Sequence, residues 1–223
     1  MSESIKKSLG NVLIVDYGMG NLHSVAKAVV RVAPECDVIV SQDPSELVKA
    51  DRVILPGVGA IRDCMSALTE GGWVQALREA WSRVPFLGIC VGMQMLLETS
   101  EENEGATGLG WFPGQVVNMA RDPSVVGQGL KVPHMGWNQV EQSMAHPIWS
   151  GIPDGSRFYF VHSFAVPYVA AMAAEASVLG RVDYGRSWVC ALAHENVVAV
   201  QFHPEKSAQA GLTLLRNFMQ WRP

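Results

Sequence analysis

Cysteine is scarce: four residues in 223, at positions 36, 64, 90 and 190, with no CxxC pair and no Cys/His spacing suited to a metal. A chain this long needs no disulfide staples, so reduced thiols in a cytoplasm are expected. Charged residues make up only 17%, with a net charge of −4 and no basic block, which excludes an electrostatic footprint for nucleic acid. No apolar run approaches the roughly 18 residues of a membrane span; the stretch from Phe164 to Leu179 is broken by Pro167 and Glu175. The first residues, Met1 to Ser8, are polar and lack the apolar core of a secretory signal, so residues 1–10 are expected to be a flexible end. What is present is a globular composition, 48% hydrophobic, sufficient for one domain over residues 11–223.

The first half alternates strand and helix signals. Asn11 to Asp16 reads as a strand buried on both faces, Leu22 to Val32 as a helix, Cys36 to Val40 and Arg52 to Leu55 as further strands around a short helix at Pro44 to Lys49. This βαβαβ opening predicts an open, mostly parallel sheet with helices on both faces. Gly18 and Gly20 follow the first strand, but no third glycine completes a dinucleotide fingerprint. Helices are expected over Asp63 to Leu68 and Trp73 to Ser82, ended by Pro85. The acidic run Glu98 to Gly105 reads as a solvated loop. From Gly110 to Val166 the texture turns to short strands, with Pro133 to Asn138 as a loop of imidazole, thioether and indole groups. His162, in an aromatic strand, is expected to be a core histidine with a partner. A hairpin around His194 to Asn196 and a helix from Ser207 to Trp221 close the chain.

One stretch points to chemistry. Phe86 to Ile89 has the apolar density of a buried strand, and Met93, Leu96 and Leu97 recur at helical spacing, so Cys90 sits at a strand-to-helix turn. Such an elbow is strained and needs small neighbours, and Gly88 and Gly92 stand two residues either side. A thiolate there faces the amino end of a helix, which favours the anion. The preceding strand runs into Pro56-Gly57-Val58-Gly59, a loop expected at the same sheet edge, where its N–H groups and that of Val91 can form an oxyanion hole. Near the carboxyl end, His203 and Glu205 flank Pro204; two residues apart on extended chain they point the same way, giving a base and its orienting carboxylate. Nucleophile, base and acceptor are then Cys90, His203 and Glu205.

The motifs Gly88-Ile-Cys90-Val-Gly92-Met-Gln94, His203-Pro-Glu205 and Pro56-Gly57-Val58-Gly59 together resemble the signature set of the class I, triad-type glutamine amidotransferases. Within that family, Asp16 to Leu22, Pro133 to Asn138 and Tyr159 to Ser163 are similar to the glutaminase subunits of imidazole glycerol phosphate synthases, from Asn11 to Trp221. Phe164 departs from the tyrosine commonly found there. The resemblance implies a flavodoxin-like fold with added antiparallel strands in the second half, and hydrolysis of L-glutamine to glutamate and ammonia by Cys90, His203 and Glu205. It implies that Gly57, Val58, Gly59 and Val91 serve the oxyanion, and that Gln94 and Ser163, with the Gly59 backbone, serve substrate. It implies no cofactor and no metal. It further implies a heterodimer with a separate (β/α)8 cyclase that receives the ammonia through an internal passage, with Asn21, His134, Met135, Trp137 and Lys206 at the interface. The free subunit is then expected to be a poor glutaminase, activated when the cyclase holds its ribonucleotide. A glutaminase feeding another synthase, such as one in a surface-sugar pathway, or a non-catalytic binding module of the same fold, are the alternatives.

Overall fold

The computed structural model describes residues 10–169 and 177–223. The end expected to be flexible lies almost wholly outside these residues, as does Glu175. Among the described residues, thirteen strands make one continuous sheet: β1 (Asn11–Val15), β2 (Asp37–Ser41), β3 (Arg52–Gly57), β4 (Phe86–Cys90), β5 (Leu97–Ser100), β6 (Ala106–Thr107), β7 (Phe112–Asn118), β8 (His134–Gln142), β9 (Arg157–His162), β10 (Phe164–Pro167), β11 (Ser177–Asp183), β12 (Ser187–His194) and β13 (Val197–Val200). The helices are α1 (Leu22–Val32), α2 (Ile61–Glu70), α3 (Trp73–Trp81), the single turn α4 (Val91–Gln94), α5 (Pro123–Val126) and α6 (Ala208–Gln220).

The parallel half runs β2-β1-β3-β4-β13, a doubly wound order whose inner strands are buried on both faces while the edge strand β2 is largely exposed. That burial explains their composition: β3, β4 and β13 are buried at every position. From β13 the sheet continues antiparallel through β12 to β10 and β7, while β11, β8 and β9 extend it sideways. The expected mostly parallel sheet with added antiparallel strands is what forms. Arg52 is buried at the start of β3 and donates to the carbonyls of Phe218 (3.3 Å) and Trp221 (3.1 Å), so the open carbonyl end of α6 is satisfied by a cation.

Three local expectations are corrected. The helix after Cys90 stops after one turn and Leu97 is already strand. The reason is competition for acceptors: the carbonyls of Met95, Leu96 and Leu97, which a continuing helix would use, accept from Leu109, Trp111, Phe112 and Gly110. The acidic run Glu98 to Gly105 is not a free loop but β5 and a 3-10 turn. Its carboxylates pin other segments, with Glu98 accepting from the N–H of Gly114, Glu101 from Asn118 and Glu102 from Ile61 at the start of α2. Pro133 to Asn138 is no loop either, since β8 begins at His134 and pairs with β9 from His134↔His162 to Gln139↔Arg157. No helix among the described residues is long and apolar enough to cross a membrane.

Candidate active site

Three neighbouring parallel strands, β3, β4 and β13, end side by side. Register pairs Gly57 with Cys90 and Val200 with Ile89, so the glycine loop, the cysteine and the segment after Val200 converge at the carboxyl edge. Cys90 has φ 57° and ψ −114°, a conformation that L-residues rarely adopt and that costs about 1–3 kcal/mol. Its neighbour Gly92 leaves no choice of residue, because a Cβ there would lie 2.0 Å from the carbonyl oxygen of Leu55. The small residues inferred from the sequence thus serve close packing of the turn against β3.

His203 is buried, with Nδ1 2.9 Å from Oε1 of Glu205, and it lines the same cavity as Cys90. Since Nδ1 is committed to the carboxylate, Nε2 is the nitrogen left for sulfur. Burial alone depresses this imidazole, but its interactions with Cys90 and with the Glu205 carboxylate outweigh burial and raise it to about 9. The pair does not lie on extended chain as expected: Pro204–Lys206 is a 3-10 turn that brings the carboxylate back to the ring. Asn21 also donates to Oε1 at 3.4 Å, while Oε2, buried, has no hydrogen-bond partner among the described residues.

Two groups that sequence reasoning missed hold this arrangement. The N–H of His203 donates to the carbonyl of Tyr159, the N–H of Tyr159 donates to Oγ of Ser207, and that hydroxyl donates to the carbonyl of His203. Gln201, buried one residue past the Val200↔Ile89 pair, places Nε2 3.8 Å from the Cys90 sulfur. Its position in the register was the available signal.

A cavity of 380 Å³ opens over the cysteine, within the ordinary range for small-molecule sites. Val58, Gly59, Val91, Gln94 and Ser163, inferred for oxyanion and substrate, are among its walls around Cys90, as is Lys206, assigned to the interface. Gly57 sits just behind, in β3. Gly59 adopts φ +90°. The carbonyl of Val58 is held by the Cys64 thiol at 3.4 Å and that of Pro56 by the Tyr17 hydroxyl at 3.0 Å. Of the residues assigned to an interface, Met135 and Trp137 are exposed on β8 and Lys206 is exposed beside them, its Nζ 6.0 Å from the centre of the Tyr159 ring. His134 is buried, so its side chain belongs to the interior.

Residues 13–221 match the family described as glutamine amidotransferase class-I. The chain is 53% identical over 210 residues to the imidazole glycerol phosphate synthase subunit HisH 1 of Pseudomonas aeruginosa, covering 94% of this chain and 96% of that one. It is 51% identical over 217 residues to the HisH subunit of Nitrosospira multiformis, covering 96% and 99%. The chain belongs to the HisH group of class-I glutamine amidotransferases. Its fold agrees: the structure of PurLQS from Thermotoga maritima superposes with a TM-score of 0.71 at 16% identity, over 95% of this chain and 98% of that one. In this glutamine amidotransferase Cys90 and His203 line one cavity, with Glu205 hydrogen-bonded behind His203.

Proposed function

We propose that this amidotransferase hydrolyses L-glutamine through a thioester on Cys90 and passes the ammonia to the cyclase subunit of an imidazole glycerol phosphate synthase, in histidine biosynthesis. The sulfur, its proton taken by His203, attacks the carboxamide carbon. The C–N bond breaks as His203 returns that proton to the leaving nitrogen, and ammonia departs. A water then attacks the thioester, giving its proton to His203; the C–S bond breaks, glutamate leaves and the thiol is restored. Glu205 keeps the imidazole in one tautomer throughout. The N–H of Val91, at the first position of α4, has no intrahelical partner and serves the oxyanion together with the Gly57-Val58-Gly59 loop. Each such donor contributes about 3–4 kcal/mol in comparable acyl transfers. Gln94 and Ser163 bind the substrate.

Ammonia released to water would be lost, so a partner must take it. Asn21, Met135, Trp137 and Lys206 form the docking face for a (β/α)8 cyclase in a one-to-one complex, with residues 11–223 acting as one domain in the cytoplasm. The observation that carries this reading is the Cys90–His203–Glu205 series at the edge of β4 and β13. Glutamine-dependent ring closure on mixing this chain with a cyclase tests it; ring closure that persists with Cys90→Ala overturns the mechanism.

A further inference from the structure

The carbonyl of Phe164 is the meeting point of two hydrogen-bond chains outside the triad. The first comes from β8. Nδ1 of His162 lies 2.9 Å from this carbonyl, and a carbonyl only accepts, so Nδ1 carries the proton. Nε2 of His162 is therefore bare and accepts from Nδ1–H of His134 at 3.0 Å. Nε2 of His134 in turn accepts from the Asn138 amide at 3.2 Å, and that amide also donates to the carbonyl of Asp183 at 2.9 Å. Every proton in the series has one place. The register pair His134↔His162 sets the two rings opposite each other. His134 is also stacked on Phe160 and Tyr184, with ring centroids 4.9 and 4.1 Å away, which resists turning the ring over. Burial depresses both imidazoles, His134 to about 4 and His162 to about 3, so both are neutral near pH 7.

The second chain comes from the nucleophile. Nε2 of Gln94 donates to the same Phe164 carbonyl at 3.1 Å and to Oε1 of Gln201 at 3.0 Å. Nε2 of Gln201 then faces the Cys90 sulfur at 3.8 Å. Orienting the Phe164 carbonyl thus orients Gln94, and through it the amide beside the sulfur.

We propose that His162, oriented by His134, is a positioning residue for the glutamine site: its Nδ1–H fixes the Phe164 carbonyl on which Gln94 is seated. The idea rests on the substrate role given above to Gln94 and Ser163. It also gives strand β8, whose outer face carries Met135 and Trp137, a direct polar connection to the substrate wall.

The test separates the donor from mere filling of space. Asparagine at 162 retains a donor at the Nδ1 position, whereas glutamine places its amide at the Nε2 position. Both variants are treated with a diazo-ketone analogue of glutamine that alkylates Cys90, and the half-saturating concentration and limiting rate are read separately by adduct mass. His162→Gln is expected to raise the half-saturating concentration roughly tenfold with the limiting rate little changed, and His162→Asn to raise it no more than about threefold, the scale of one net hydrogen bond. A general loss of folded protein would lower the labelled amount and leave half-saturation unmoved. Equal half-saturation in the two variants overturns the proposal. Nitrogen-15 chemical shifts of the unmodified protein at pH 7 decide it independently of folding in the variants: both rings should be neutral and protonated on Nδ1, and His162 protonated on Nε2 refutes the inference. Absence of labelling in the unmodified protein would instead count against the glutaminase reading, leaving the nitrogen spectrum to judge the relay.

Discussion

Glu205 holds Nδ1 of His203 at 2.9 Å although only Pro204 separates the two residues, because the chain folds back in a 3-10 turn there. The carboxylate therefore fixes both the tautomer of the base and its charge. Glu205→Gln keeps the volume but removes the charge and can present its amide N–H to Nδ1, which favours the wrong tautomer. The expected result is a fall in kcat of about 10²–10⁴-fold with little change in KM for glutamine. Steady-state glutaminase kinetics check it, and a KM effect without a kcat effect would contradict the assignment.

Titration of His203 has a defined sign. Its folded value, about 9, lies above the ordinary histidine value of 6.5, so the folded state holds a proton that the unfolded chain releases between those limits. The stabilisation is fully present below pH 6.5 and is lost as pH rises through 9. The shift corresponds to about 3 kcal/mol at most. Urea unfolding of the parent chain and of His203→Gln at pH 6 and pH 9.5 should give a stability difference that narrows at the higher pH; a difference that widens would reverse the sign argued here.

Gly92→Ala tests the elbow. The added Cβ would meet the Leu55 carbonyl oxygen at 2.0 Å, and neither backbone segment can retreat without moving β3 or β4. Destabilisation of at least about 3 kcal/mol is expected, beyond ordinary overpacking. Thermal unfolding measures it, and a melting temperature within a degree or two of the parent would show that the elbow is looser than described.

What the sequence disclosed follows from which signals are local. The density of Val and Ile in β1, β3 and β4 and the glycines flanking Cys90 speak through near neighbours, and the parallel sheet and the convergence on Cys90 were legible from them; Pro204 was not, since it opens a 3-10 turn rather than holding extended chain. The length of α4 was not, because it is decided by residues 109–112, which take the carbonyls a longer helix would need. Gln201 and Ser207 escaped notice for a similar reason: their roles come from register with β4 and from Tyr159 of β9, not from spacing. In β8 the alternation of buried His134 with exposed Met135 and Trp137 was a readable period of two, masked by the glycine and proline around it.

Trp137 is half-exposed on β8 and meets the Tyr159 ring edge-on at 6.2 Å. An indole placed there without burial suits an anchor for the proposed cyclase partner. Trp137→Ala should leave the melting temperature nearly unchanged and weaken association by about 2 kcal/mol or more, roughly 30-fold in Kd. Titration calorimetry against the cyclase reads this directly, and unchanged affinity would remove Trp137 from the interface.

Tyr17 and Cys64 hold the loop to which the proposed mechanism assigns the oxyanion. The phenol donates to the Pro56 carbonyl and the thiol to that of Val58. Burial first, with Cys64 and Cys90 adding to it, pushes the Tyr17 phenol well above its usual range, so it remains a donor at every pH of interest. Because each peptide plane carries a carbonyl and the next N–H in opposite directions, pinning these two carbonyls sets the directions of the Gly57 and Gly59 N–H groups. Tyr17→Phe removes the hydroxyl alone. It should lower kcat about 3–10-fold, the scale of one net hydrogen bond felt in the transition state, while KM for glutamine stays near the parent value. A rise in KM with kcat intact would mean that the loop serves ground-state binding instead.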